Sequence, residues 1–173
     1  MNTVEIKRTI AGLGLHPNRR LGQTFLVSPE ARERIVGAME CGPADRVLEV
    51  GPGLGSLTEL LLDRAGHVTA VEIDAGFCRF LSGRFGAREN FTLIHGDFLK
   101  DPPPDIFSKI VSNLPYYCSS EMLFEMSRYA APQVYVMLQK ELADRVIASP
   151  GGKSYGALTV PLGFYYEARR GFT

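Results

Sequence analysis

The chain has 173 residues, 45% of them hydrophobic, and its 19 Lys and Arg are balanced by 19 Asp and Glu for a formal net charge of zero. That length suits one globular domain, in which burial of roughly 70% of the unfolded surface is attainable. No run of about 18 apolar residues occurs and charges interrupt the N-terminal stretch, so a transmembrane helix and a signal peptide are excluded and a soluble, cytoplasmic protein is expected.

Cys41, Cys78 and Cys118 are odd in number and widely spaced, a pattern of reduced thiols rather than of a disulfide framework or a zinc site; no metal is expected. The neutral whole hides a local asymmetry. Lys7, Arg8, Arg19 and Arg20 fall in a stretch with no acidic residue between positions 6 and 29, which reads either as a phosphate-contacting arm or as an ordinary solvated terminus. The same segment has room for two short helices, Val4–Leu13 and Pro29–Met39, with Leu21–Val27 between them. Residues 1–40 are therefore expected to form a helical cap and basic arm, and residues 41–173 the core.

The core begins at Arg46–Val50 (RVLEV), a strand introduced by the turn-like Gly42-Pro43-Ala44-Asp45 and followed at once by Gly51-Pro52-Gly53-Leu54-Gly55. A helix over Ser56–Arg64 and a β-branched strand over His67–Ile73 complete one β-α-β unit. The alternation continues with a helix near Ala75–Phe85, strands Phe91–His95 and Lys109–Ser112, a helix Ser120–Tyr129, a strand Gln133–Leu138 and a helix from Glu141 to about Ala148. Tyr155–Tyr166 is apolar without a period that fixes its type. Strands alternating with helices predict a doubly wound α/β fold around a mostly parallel sheet.

Such a sheet binds ligands beyond the carboxyl ends of its strands. Gly51, Gly53 and Gly55 stand at the first of these ends and lack the Cβ atoms that would hold a small molecule off the main chain. Glu72 closes the next strand 21 positions after Gly51, near the roughly 20 at which an acid meets ribose hydroxyls in this architecture. Asp97 follows the third strand in Gly96-Asp97-Phe98, where it can accept a hydrogen bond from an adenine amino group. The G-x-G-x-G spacing differs from the dinucleotide fingerprint G-x-G-x-x-G. A methyl donor built on adenosine thus competes with a nicotinamide or flavin dinucleotide, and with a plain tight turn.

The fourth strand runs into Asn113-Leu114-Pro115-Tyr116-Tyr117. The lone pair of an adenine amine is delocalised into the ring, so acceptors aimed at its two hydrogens are needed to make it nucleophilic. The Asn113 side-chain oxygen and the Leu114 carbonyl are such acceptors, Pro115 stiffens the turn, and Tyr116 can stack on the base. An Asn-x-Pro turn with two core tyrosines is the plainer alternative.

Taken together these stretches resemble the ribosomal RNA adenine dimethyltransferases of the small-subunit type. Leu21-Gly22-Gln23-Thr24-Phe25-Leu26 is similar to the family's GQNFL opening and Glu49–Gly55 to its EIGPGLG turn. Glu72, Asp97, the NLPY run at Asn113–Tyr116, Met137-Leu138-Gln139-Lys140-Glu141 and Lys153-x-Tyr155-Gly156 match in order and spacing.

The resemblance implies a Rossmann-like class I methyltransferase fold with S-adenosyl-L-methionine as cofactor. The corresponding cofactor-binding residues are Gln23, Thr24, Leu26, Gly51, Gly53, Glu72, Ile73, Asp97, Phe98 and Asn113. It implies Asn113, Leu114 and Tyr116 as the catalytic set and Arg19, Arg20 and Tyr116 as contacts to RNA. The substrate it implies is 16S ribosomal RNA within an immature small subunit, dimethylated on the N6 amines of two adjacent adenosines near its 3′ end by a monomeric enzyme during ribosome biogenesis. A sister group that methylates large-subunit RNA and confers antibiotic resistance is one alternative; a non-catalytic RNA-binding assembly or transcription factor of the same fold is the other.

The chain departs from the family pattern at three places. Thr24 stands where Asn is usual, Tyr117 replaces the Asn that follows NLPY and has no assigned role, and the sequence given stops at Thr173 before the family's Phe-x-Pro segment. A missing last strand and C-terminal helical domain, an exposed sheet edge and lowered stability are expected from that stop.

Overall fold

A computed structural model describes residues 3–12, 26 and 28–172. Five parallel strands, β1 (Arg46–Val50), β2 (His67–Glu72), β3 (Phe91–His95), β4 (Lys109–Asn113) and β5 (Gln133–Met137), form one sheet in the order β3-β2-β1-β4-β5. The chain moves outward from β1 to β2 and β3, then returns past β1 to β4. The direction of winding therefore switches between β1 and β4, which opens a crevice at their carboxyl ends. The sheet is parallel throughout, as the alternation of strands and helices requires.

Helices α1 (Thr3–Gly12), α2 (Pro29–Met39), α3 (Thr58–Leu62), α4 (Ala75–Phe85), α5 (Ser119–Ser127), α6 (Lys140–Val146) and α7 (Thr159–Gly163) surround it. Period-two alternation divides the strand side chains between two cores. Val47, Val68 and Val111 pack with Ile35, Val36 and Met39 of α2, Leu61 and Leu62 of α3, and Leu81 and Phe85 of α4. Leu48, Val50, Val71 and Ile110 pack on the other face with Leu123 and Met126 of α5, and with Leu158 and Leu162 at α7. In α1, Ile6 and Ile10, one turn apart, bury against Leu54 of the glycine turn and Phe77 of α4.

Most expected elements are present, and the differences have local causes. The helix expected over Ser56–Arg64 is helical only from Thr58 to Leu62, because residues 53–57 are taken up by successive turns. Within Tyr155–Tyr166 only Thr159–Gly163 is helical. Pro161 lies in that first turn, where the missing N–H costs no internal bond. The expected helix Val4–Leu13 corresponds to α1, whereas Leu21–Val27 lies outside the described residues except for Leu26. Cys41, Cys78 and Cys118 are all free thiols. No helix among the described residues is long and apolar enough to cross a membrane.

Candidate functional site: a cleft at the carboxyl ends of the strands

The glycine turn is forced into shape by backbone geometry. Gly51, Gly53 and Gly55 all take positive φ, at 70°, 58° and 73°, a region that costs an L-residue roughly 1–2 kcal/mol. At Gly55 a Cβ would stand 2.6 Å from Phe85 Cε2 and 2.9 Å from Leu81 Cδ2, so this glycine also lets α4 pack closely. At Gly51 a Cβ would meet no protein atom within 4 Å. Gly51 lines the cleft, so the space left open is the cleft's own.

That cleft has a volume of about 210 Å³. Its walls bring together Leu26, Gly51, Gly53, Glu72, Ile73, Asp97, Phe98 and Asn113, residues scattered over the sequence but gathered by the strand ends. Gln23, Thr24, Arg19 and Arg20 lie outside the described residues.

Glu72 is 4% exposed and holds the site together. Its Oε2 accepts from the Gly53 amide at 3.0 Å, and its Oε1 from the Asp74 amide at 2.9 Å. The carboxylate thus fixes the glycine turn to the start of α4, and each oxygen keeps a second lone pair for a ligand hydroxyl. Burial raises its pKa, and the amide donors oppose that shift without cancelling it. Asp97 is partly exposed; its Oδ1 caps the Leu99 amide at 3.1 Å, and its Oδ2 lies 3.5 Å from Lys100 Nζ.

The Asn113 turn occupies the β4 side. Ser112 donates its hydroxyl to the Val50 carbonyl at 2.6 Å, and the Leu114 amide donates to the Met137 carbonyl at 3.3 Å, which pins the turn between β1 and β5. The Ser119 hydroxyl donates to the Pro115 carbonyl at 2.7 Å and ties the turn to α5. The Leu114 side chain is fully buried in the α5-side core, so only its backbone is available to a ligand. Tyr116 and Tyr117 are both exposed. The structure divides them unevenly: Tyr117 lines the cleft, while Tyr116 faces a neighbouring hollow with Ser120, Gln139 and Arg145, whose wall Tyr117 shares.

Glu49 was not among the expected site residues, yet it lines the cleft at only 2% exposure. Its Oε2 accepts from the fully buried Thr58 hydroxyl at 2.6 Å. Burial, reinforced by the Glu72 charge, pushes its pKa up to about 7 against the pull of that hydrogen bond. In the sequence its one hint is a carboxylate between Leu48 and Val50, which becomes informative only once the fold shows it buried, since Glu is almost never fully buried unless paired.

Glycines that admit a ligand to the backbone, carboxylates for ribose and amino groups, and apolar Ile73 and Phe98 for a ring's faces are the parts an adenosine-based methyl donor requires. Fold and cleft define the class of S-adenosylmethionine-dependent methyltransferases. Within that class, residues 14–170 match the family described as "Ribosomal RNA adenine dimethylase". The chain belongs to that family.

A protein of Dehalococcoides mccartyi named "Ribosomal RNA small subunit methyltransferase A" is 41% identical over 168 residues, which cover 93% of this chain and 57% of that protein. Among solved structures, a dimethyladenosine transferase from Plasmodium falciparum superimposes with a TM-score of 0.71 at 31% identity, over 79% of this chain and 51% of the other. The 23S rRNA methyltransferase ErmE does so at 0.64 and 32%, over 74% and 53%. The chain thus spans between half and three-fifths of the length of these relatives.

Proposed function

We propose that the cleft binds S-adenosylmethionine and that the chain's residues present an RNA adenine to it for methylation at N6, the target being two adjacent adenosines near the 3′ end of small-subunit ribosomal RNA. The observation that carries this reading is the convergence of the β1, β2 and β4 ends, which brings the glycine turn, Glu72 and Asn113 to one cavity.

In this reading the glycine turn, Glu72, Asp97, Ile73 and Phe98 hold the adenosine portion, and Gln23, Thr24, Leu26 and Asn113 are the further donor-binding residues. The bound donor supplies an electrophilic methyl on a sulfonium centre. Asn113 accepts from one amine hydrogen of the target base and the Leu114 carbonyl from the other, which localises the nitrogen lone pair toward the methyl. An adenine must leave its stack to reach this depth, and an aromatic face repays part of the cost, about 1–3 kcal/mol per base. Tyr116 serves that role from the neighbouring hollow, and the position of Tyr117 on the cleft wall makes it a second stacking surface. The newly alkylated nitrogen is acidic enough to lose its proton to water, so no side-chain base is required. Residues 1–40 act as a cap whose Arg19 and Arg20 contact RNA phosphates.

The name of the D. mccartyi relative supports the small-subunit target, and the likeness to ErmE gives the large-subunit alternative its standing. Labelled donor, the protein and equal amounts of unmodified small-subunit and large-subunit RNA in ribosomal particles separate them. Label on adenosines of the small-subunit RNA is the expected result. Label confined to large-subunit RNA would reassign the target, and RNA binding with no label on either would support a non-catalytic factor.

A further inference from the structure

Val47 and Val68 are paired neighbours in the sheet and share one core, so alternation puts Glu49 and Glu72 on that same face, at its carboxyl end. Both carboxylates are almost wholly buried and both line the cleft. No cationic side chain among the described residues pairs with either one: Glu49 is held by a hydroxyl, and Glu72 by backbone amides. Facing Glu49 are Glu72 of β2 and Thr58 of α3, while Asp74 adds a further negative charge beside Glu72. β4 offers the cleft only uncharged Asn113, and the end of β3 adds Asp97, which has Lys100 beside it. Arg79 is exposed, and Arg46, Arg64 and Arg84 are engaged at the surface with Asp105, Glu33 and Glu59.

Two buried like charges without a counter-ion are costly, and the protein relieves the cost by holding a proton or by accepting a cation. The donor of the proposed reaction carries a sulfonium and an ammonium against one carboxylate. The demethylated product has lost the sulfonium charge and is neutral overall.

We infer that the Glu49–Glu72 pair makes the cleft charge-selective, favouring the cationic donor over the neutral product, with Glu49 the residue that exchanges a proton for the ligand's charge. The Glu49 carboxyl releases its proton to solvent as the cation enters. It takes one back when the sulfonium charge disappears, so loss of the methyl itself weakens retention of the product. The inference rests on the donor reading above and adds to it a discriminating residue outside the ribose- and adenine-binding set.

Calorimetric titration of the full chain with S-adenosylmethionine and with S-adenosylhomocysteine, in buffers of differing ionisation enthalpy from about pH 5.5 to about pH 8.5, tests it. The preference for donor over product should widen about tenfold across that range, the factor carried by one unit of pKa displacement. Near neutrality, donor binding should release a fraction of a proton and product binding close to none. Glu49→Gln, which keeps an acceptor for Thr58, should abolish the pH dependence of the preference and leave product affinity within about threefold.

A preference that is flat with pH in the wild type, or equal weakening of both ligands by Glu49→Gln, would overturn the inference and leave the donor reading standing. Binding of neither ligand would remove both. Should Glu49→Gln not fold, the wild-type proton count decides alone, and absence of release overturns the proposal.

Discussion

Asn113 ends β4 on the cleft wall, and the proposed chemistry depends on it far more for the target amine than for the donor. Asn113→Ala should therefore lower methyl transfer by about 100-fold or more while changing donor affinity by less than about threefold. Equal losses in equilibrium donor titration and single-turnover transfer would assign it to donor binding instead. The glycine turn separates two other roles. Gly51→Ala places a methyl in the cleft itself and should weaken donor binding at least about tenfold, with a stability cost near the 1–2 kcal/mol of a left-handed residue. Gly55→Ala collides with Phe85 and Leu81 and should cost more stability than Gly51→Ala, as chemical denaturation of the two variants will show. Gly51, Glu72 and Asp97 were legible in the sequence because strand ends and spacing locate them. Glu49 and Tyr117 were not. The first is hidden within a strand whose burial only the fold reveals, and the second differs from Tyr116 only by the direction in which the turn presents it.

At the scale of elements, α4 connects stability to the site. Asp74 caps this helix by accepting from the Gly76 amide at 2.7 Å and the Phe77 amide at 3.1 Å, while its own amide donates to Glu72. Asp74→Ala should cost about 1–2 kcal/mol, as loss of a helix N-cap does. In the unliganded protein it should also ease the charge crowding at Glu72. Denaturant melts and donor titration of the variant separate the two effects: the melts read the lost cap, and a change in donor affinity reads the altered surroundings of Glu72. The sequence located β1, β3 and α4 to the residue, because each is a periodic run bounded by glycine or a capping acid. It did not resolve α7. That segment leaves Phe164 and Tyr165 exposed while burying Leu158 and Leu162, so no clean apolar stripe marks the helix.

For the whole molecule, half-buried Asp45 and buried Glu49 have opposite shifts that shape stability against pH. Asp45 accepts from the Gly42 amide, the Ser108 hydroxyl and Lys109 Nζ at 2.7–2.9 Å, and these donors outweigh its desolvation and depress its pKa. Its contribution is present above the ordinary aspartate range near pH 4 and disappears as pH falls through its lowered value. Glu49 has the opposite sign. Raised to about 7, it stabilises the fold below its unfolded value near 4.5 and loses that contribution as pH rises toward 7. Stability of the unliganded chain should therefore peak at about pH 4 to 4.5 and decline toward pH 7, and Glu49→Gln should make that decline shallower, the rest of it belonging to Glu72, whose carboxyl pKa burial also raises. Thermal melts across this range check both limbs. The doubly wound, parallel fold was legible from the alternation of strands and helices, whereas the strand order β3-β2-β1-β4-β5 was not. The cleft it creates was legible only as a convergence of strand ends, with neither its depth nor its charge.

The function proposed for this cleft is delivery of methyl groups to adenine N6 in small-subunit RNA. Nucleoside mass spectrometry of that RNA, digested after incubation with the donor and either wild-type protein or Asn113→Ala, addresses it most directly. Wild-type protein should yield N6,N6-dimethyladenosine, and the variant almost none. Unmodified adenosine with both proteins, although the donor binds, would contradict it.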